Sequence, residues 1–288
     1  MSARLPAFAP TRRDFLRLVA TMAGSLVPSL RAAAAGGDAP VLRAQKLAWA
    51  GVRLEIDNAT LLLDPLINPD VWGKALTDAI VPVDIPKGDR YVLVTHRHPD
   101  HFDPAAVRQA LGTTGTLVCG VDAAPAAAAA GFKVRAATLY EPVLLGDFTA
   151  TAVPAADGYG DPQVSWVVTG GGRRIIHCGD TLWHGSWWHI GRQFGPFDAA
   201  FLPINGARFA WRKPVSDVAA VMTPEQAVAA AVVLNARLIV PIHYGVVGAD
   251  SYSEVPDPAA ALAEAARKRQ VAVEIVRPGE WLTWGPRG

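Results

Sequence analysis

The chemistry of this chain is concentrated in the run Thr95-His96-Arg97-His98-Pro99-Asp100-His101. It holds three of the 7 His in the chain, beside a carboxylate. Imidazole nitrogens and carboxylates are donors that zinc, iron and manganese accept. If the run is extended backbone leaving a strand, alternate side chains point the same way. His96, His98 and Asp100 then converge on one side, and His101 follows where the chain turns. One short motif does not fill two metal shells, so further ligands are expected from other strand ends. Asp180 in Gly179-Asp180-Thr181 and His243 in Pro241-Ile242-His243 stand at two of them. Ligands presented by several strand ends fit a rigid scaffold with loops along one edge.

The elements that must position these residues alternate between strands and helices. Val52–Ile56 alternates apolar and polar residues, as a half-buried strand does. The turn pair Asp57-Asn58 leads from it to a second strand, Leu61–Asp64. Tyr91–Val94 is a short apolar strand that runs straight into the His motif. Pro104–Leu111 is expected as a helix, with Asp103 at the N-cap and proline at the first helical position. Strands follow at Thr149–Val153, Val164–Thr169, Arg174–His177, Ala199–Pro203, Leu238–Ile242 and Val271–Val276. The run Gly170-Gly171-Gly172 reads as a hairpin turn, not a phosphate loop, since no helix follows it. Thr223 caps a helix to Leu234, and Pro258–Arg269 is an amphipathic helix. Two β-rich halves, each followed by helices, predict two sheets packed face to face with helices outside, an αββα sandwich of the mixed α/β (α+β) class.

With these pieces together, the chain resembles the metallo-β-lactamase superfamily. It most resembles the branch with ascorbate-6-phosphate lactonase and N-acyl-phosphatidylethanolamine phospholipase D. The matching pieces are Leu-Leu-Leu-Asp-Pro at 61–65, the 95–101 motif, Val153-Pro154-Ala155, Gly179-Asp180-Thr181, Leu202-Pro203-Ile204, Met-Thr-Pro-Glu-Gln-Ala at 222–227 and Pro241-Ile242-His243. The resemblance implies a four-layer fold and two divalent metal ions, zinc first, with manganese or iron as alternatives. It implies that His96 and His98 hold one metal and Asp100 and His101 the other. Asp180 would bridge them and His243 would complete the second site. One position departs from the pattern: the branch usually has His two residues after Ala155, where this chain has Asp157. Either Asp157 is a ligand whose harder oxygen tilts preference towards manganese or iron, or it is a solvent-facing turn residue beside Gly158. Paired metals lower the pKa of a shared water from ~15.7 towards ~7, so a metal-bound hydroxide can attack an ester, lactone or phosphodiester. Asp100 would orient that hydroxide or take its proton. The rival readings are a di-iron oxidoreductase on the same fold and a non-catalytic metal-binding relative.

Weaker signals surround this core. His184, close after Asp180, is a candidate to bind substrate or protonate a leaving group, against the plainer reading of a helix-start residue. Trp183, Trp187 and Trp188 either line an apolar substrate pocket or pack the core. Arg208 or Arg212, in the irregular segment 205–214 with Trp211, is a candidate lid residue that grips an anion. His177 reads as a satisfied core residue, and Asp64 as a support for the His loop from behind. Cys119 and Cys178 pair or remain free; sequence does not bring them within bonding range.

The first 35 residues read as an address. Arg12-Arg13 precedes an apolar run from Leu18 to Leu30, and small residues follow at 32–36. This is the form of a twin-arginine export signal, which predicts a periplasmic protein with one hydrolase domain over residues 36–288. Beyond the signal, no run is long and apolar enough for a stable membrane span. The net charge of +1 gives no basic surface for nucleic acid. The expected partner is a small-molecule or lipid-like substrate; the oligomeric state is not written in the sequence.

Overall fold

The computed structural model describes residues 40–83 and 88–284. The export signal expected over residues 1–35 lies outside them. Among the described residues no helix is long and apolar enough to cross a membrane.

Two mixed sheets carry the fold. The first contains β1 (Arg43–Lys46), β2 (Val52–Ile56), β3 (Ala59–Leu63), β4 (Asp89–Val94), β5 (Thr116–Gly120) and β6 (Val134–Ala137), hydrogen-bonded in that order. Strands β1 to β3 are antiparallel, and β3 to β6 run parallel. The parallel steps need crossovers. Two of them are helices, α1 (Pro104–Leu111) between β4 and β5 and α2 (Ala124–Ala129) between β5 and β6.

The second half repeats this plan. An antiparallel run of β7 (Pro142–Leu145), β8 (Phe148–Pro154), β9 (Val164–Gly170) and β10 (Arg173–His177) gives way to parallel strands. These are β11 (Ala199–Pro203), then, past the two-residue β12 (Arg208–Phe209), β13 (Leu238–Ile242), and past β14 (Tyr252–Ser253), β15 (Ala272–Val273). Helices α3 (Trp187–Phe194), α4 (Pro224–Leu234) and α5 (Pro258–Arg269) are their crossovers. β12 and β14 pair separately as a small ribbon. Gly171 and Gly172 both have positive φ, as the two-residue turn between β9 and β10 requires.

The two-residue period of each strand sorts its side chains into layers. Leu61 and Leu63 of β3 join Trp166 and Val168 of β9 and Ile175 of β10 in the core between the sheets. The alternate residues face the helices. Leu62 and Val92 pack with Val107 and Leu111 of α1. Val167, Ile176 and Leu202 pack with Trp187, Ile190 and Val228 of α3 and α4. Three cores separated by two sheets are the expected αββα sandwich. They also keep the cysteines apart: Cys119 is in the core under α1, Cys178 in that under α3 and α4, and both are free.

The last strand is shorter than its apolar pattern predicts. It has a neighbour on one side only, and the ladder to β13 covers Ala272 and Val273.

Candidate metal centre

The parallel strands bring their carboxyl ends to one edge, and the donor residues stand there. Backbone leaving β4 supplies His96, His98, Asp100 and His101; β8 leads to Asp157, β10 to Asp180, and β13 to His243. Asp103 closes the His loop by capping α1 through Oδ1, while its Oδ2 accepts from the Ile67 and Asn68 amides. Thr181 ties the Asp180 turn to the Asp157 turn: its hydroxyl oxygen accepts from the Ala156 amide at 2.9 Å. Gly179, at φ +56°, meets the His loop so closely that a Cβ there would lie 2.9 Å from Thr95 Oγ1.

Two groups of donors result. His96, His98, Asp157 and Asp180 form one, with donor atoms all within 4.8 Å of one another; Asp100, His101 and His243 form the other. Separations of 3.7 Å from His96 Nε2 to Asp180 Oδ1 and 3.6 Å from His98 Nδ1 to Asp157 Oδ2 are too long for hydrogen bonds. Asp100 Oδ2 stands 3.8 Å from His101 Nε2 and 3.6 Å from His243 Nε2. Such spacings suit ligands about 2 Å from a common cation.

Each imidazole is held through its other nitrogen. His101 Nδ1 meets buried Asp64 at 2.8 Å, and His98 Nε2 meets Asp161 at 2.9 Å. Thr95 Oγ1 donates to Asp64 at 2.6 Å and so accepts from His96 Nδ1 at 3.0 Å. The Asn205 amide faces His243 Nδ1 at 3.1 Å. Thr95, Asp161 and Asp64 take the ring protons of His96, His98 and His101 and turn bare lone pairs to the centre, whereas Asn205 Nδ2 donates to His243 Nδ1. His96 Nε2 and His98 Nδ1 consequently face each other at 2.9 Å. Two lone pairs at that distance repel unless a cation lies between them.

His101 Nε2, His243 Nε2, Asp157 Oδ2 and Asp180 Oδ1 are buried with no hydrogen-bond partner. Orphaned polar atoms are costly in a protein interior, and four in one place fit a metal centre. Asp157 is a turn residue, but a buried one and not the solvent-facing alternative. Its Oδ1 accepts from the Tyr159 and Asp161 amides as a turn residue, while its Oδ2 faces the donor group.

Crowding of the donors shifts their titration in both directions. Burial, then the neighbouring imidazoles His101 and His98, hold His96 well below the usual histidine range. Burial pushes His243 down to about 4. Burial also opposes charge on His101, but Asp100 and Asp64 outweigh it and raise its pKa to about 9. Burial raises Asp180, reinforced by Asp157 and Asp100 against the pull of His101. For Asp100 burial is overcome by the nearby imidazoles of His101 and His243, which keep its carboxyl below the ordinary range.

Sequence patterns gave no sign of Trp49. Its Nε1 donates to Asp100 Oδ2 at 3.0 Å and its ring lies 4.1 Å from that of His243. Trp49, Asp64 and His243 all have positive φ, a clustering of backbone strain characteristic of functional sites. Asp161 and Asn205 were missed as well, although Asn205 follows a strand end and Asp161 follows Asp157 by four residues.

A cavity of about 310 Å³ opens over the donors. Asp100, Asp180, His98 and His243 face it from below, and Trp72, Tyr159, Phe209, Trp211, Tyr252 and Arg212 surround it. The tryptophans expected here lie elsewhere. Trp187 is fully buried in the core under α3, and Trp183 packs against that core. The chain after Asp180 leads into α3, whose apolar face buries Trp187, and Trp183, before the helix, packs on the same core. His184 stacks on Trp187 with ring centroids 4.3 Å apart, and burial lowers its pKa to about 4; it does not line the cavity. Arg208 donates to the Asp217 carbonyl and lines a separate depression. His177 is a core residue bonded to the Ala50 carbonyl at 2.8 Å, as expected.

Comparison with known proteins now has a geometry to refer to. A family model described as the beta-lactamase superfamily domain matches residues 59–244. A metal-dependent hydrolase of Thermus thermophilus is 29% identical over 243 residues, covering 82% of this chain and 96% of its own. Among solved structures, a metallo hydrolase from the archaeon Ignicoccus hospitalis superposes with a TM-score of 0.65 at 20% identity, covering 85% of this chain and 99% of that one. The diiron β-hydroxylase CmlA from Streptomyces venezuelae gives a TM-score of 0.64 at 17% identity, over 84% of this chain and 54% of its own.

Proposed function

The chain belongs to the beta-lactamase superfamily, and from that premise we propose that it is a metal-dependent hydrolase of an ester, lactone or phosphodiester. One observation carries the reading: four imidazoles, each held from behind, and three carboxylates converge beneath an open cavity, and four of their buried atoms have no hydrogen-bond partner. The Thermus relative, named as a metal-dependent hydrolase, supports it.

His96, His98, Asp157 and Asp180 would hold one divalent cation, and Asp100, His101 and His243 the other, with Asp180 shared. Bound there, the cations supply Lewis acidity and bring the pKa of a water within reach of neutral pH. The protein's own contribution is position and proton handling. Trp49 fixes the Asp100 carboxylate, which lines the cavity and stands ready to accept a proton from the attacking water. As a bond forms from the water oxygen to the carbonyl carbon or phosphorus, the bond to the leaving oxygen breaks. The proton taken by Asp100 passes to that oxygen. His184, outside the cavity, has no part in this scheme.

The test is metal analysis of the purified protein beside a panel of lactone, ester, phosphodiester and β-lactam substrates. Two metals per chain and turnover of one of the first three classes are expected, with both lost in His98→Ala. A metal-filled protein inert to the whole panel would overturn the reading. A di-iron oxidoreductase is the second reading, favoured by the hard Asp157 oxygen; bound iron with redox-active absorption would select it. Export to the periplasm is part of the proposal, tested by fractionating cells with and without Arg12→Lys and Arg13→Lys together.

A further inference from the structure

Asp157 changes the charge of the centre it belongs to. Two divalent cations bring four positive charges, and Asp100, Asp157 and Asp180 return three negative ones. A hydroxide cancels the last. With histidine at 157 the sum would keep one positive charge. A neutral centre would exert no net pull on an anionic scissile group.

The missing positive charge is at the rim. Arg212 is the one Lys or Arg among the residues lining the cavity. Its guanidinium lies 3.8 Å over the ring of Tyr159, and that ring meets His98 edge-on at 5.6 Å. Arg212 is therefore two contacts from the donors. It hydrogen-bonds Tyr159 but is exposed and pairs with no carboxylate among the described residues, so the remaining guanidinium donors can meet an anion. Between rim and floor the wall is aromatic: Tyr159 stacks on Phe209 at 4.7 Å, and Phe209 meets Tyr252 at 5.6 Å.

Resting on the hydrolytic reading above, we infer that the substrate is a small ester or lactone whose scissile group is neutral, with a flat or apolar body along the aromatic wall and a separate carboxylate or phosphate held by Arg212. Hydrolysis breaks the acyl–oxygen bond, the acyl carbon takes the water oxygen, and the leaving oxygen takes the proton. The distal anion is unchanged.

The probes are 4-acetoxybenzoate, its uncharged counterpart phenyl acetate, and bis(4-nitrophenyl) phosphate, whose scissile group is itself anionic. The metal-loaded protein should prefer 4-acetoxybenzoate to both. Arg212→Gln should lower the kcat/KM ratio of 4-acetoxybenzoate to phenyl acetate about tenfold, as loss of a charged hydrogen bond does. The loss should lie in KM, and Arg212→Lys should recover part of it. Calorimetry gives a reading independent of turnover: the product 4-hydroxybenzoate should bind about tenfold more weakly to Arg212→Gln. A ratio unaltered by Arg212→Gln, or preference for the phosphodiester, overturns the inference. If no ester, lactone or phosphodiester is cleaved but 4-hydroxybenzoate binding still depends on Arg212, the hydrolytic reading fails and the anion subsite stands. Binding indifferent to Arg212 removes the subsite whatever is hydrolysed.

Discussion

His98 and His101 each turn one nitrogen to the centre and give the other to a carboxylate, but in contrasting settings. The His101–Asp64 pair has no exposed side-chain surface. The His98 and Asp161 side chains are 21% and 28% exposed, and Asp161 also reaches the solvent-facing Arg97. The other members follow suit. His243 is backed by buried Asn205 and by Trp49, whereas Asp157 sits in a short turn closed by its own side chain. The supports of one donor group thus lie in the core, while the other group, though mostly buried, depends through His98 on a partly exposed partner. Coordination strength depends on how firmly ligands are prepositioned, so the deep group should bind its cation more tightly. The outer group should be the one whose occupancy varies with conditions.

The harshest way to break this contrast is to remove the donor assigned to both groups. Asp180→Ala should empty both metal positions and lower hydrolysis more than about a hundredfold, beyond the effect of an indirect partner. Metal analysis that finds one position still filled would show that Asp180 serves a single group. Asp64→Ala attacks the deep group alone. It strips His101 and Thr95 of a buried partner, at a cost of about 3–5 kcal/mol, so Tm should fall by roughly ten degrees with a 10–100-fold loss of affinity at one position. Asp161→Asn is the matched change outside. It should weaken one metal about tenfold while thermal melting moves by no more than about two degrees, as for exposed pairs. Equal Tm losses in these two variants would erase the distinction.

A separate effect, on stability alone, concerns the support beneath the deep group. The Lys46 ammonium is buried, donates to the Leu47 and Trp49 carbonyls and lies 3.6 Å from Asp78. Burial lowers its pKa to about 8, against 10.5 in the unfolded chain, and Asp78 restores only part of the difference. Between those values the folded state holds fewer protons than the unfolded. The cost of the buried charge is therefore complete below pH 8, and stability should rise as pH climbs towards 10.5, by up to about 1.4 kcal/mol per pH unit. Urea midpoints at pH 7.5 and 9.5 would register this gain, and Lys46→Met should abolish it.

How much of this was written in the sequence follows the same contrast. Strand ends declare themselves where apolar alternation runs into a polar residue, which is how His96, Asp180 and His243 were found. The supports are invisible because they come from far along the chain: Trp49 reaches Asp100, and Asn205 reaches His243. Strand β1 escaped notice because its inward residue Lys46 is charged. The cavity wall was misplaced for a related reason. Nearness to Asp180 in sequence pointed to Trp183 and Trp187, but Trp187 is buried on the apolar face of α3 and Trp183 packs against that core just before the helix. The actual wall comes from four separate stretches of chain, at Trp72, Tyr159, 209–212 and Tyr252.

One of those stretches is closed at its base like a stalked leaf. The Ala220 amide bonds to the Ala207 carbonyl at 2.8 Å, and just below it the Gly206 amide bonds to Met222 at 3.0 Å. Everything between, including Phe209, Trp211 and Arg212, projects from that stem and contributes no metal donor. A swap confined to this insert would redraw the entrance while the catalytic floor keeps its wiring. Diversification of such a scaffold can thus proceed one leaf at a time, with new specificities tried on a conserved engine.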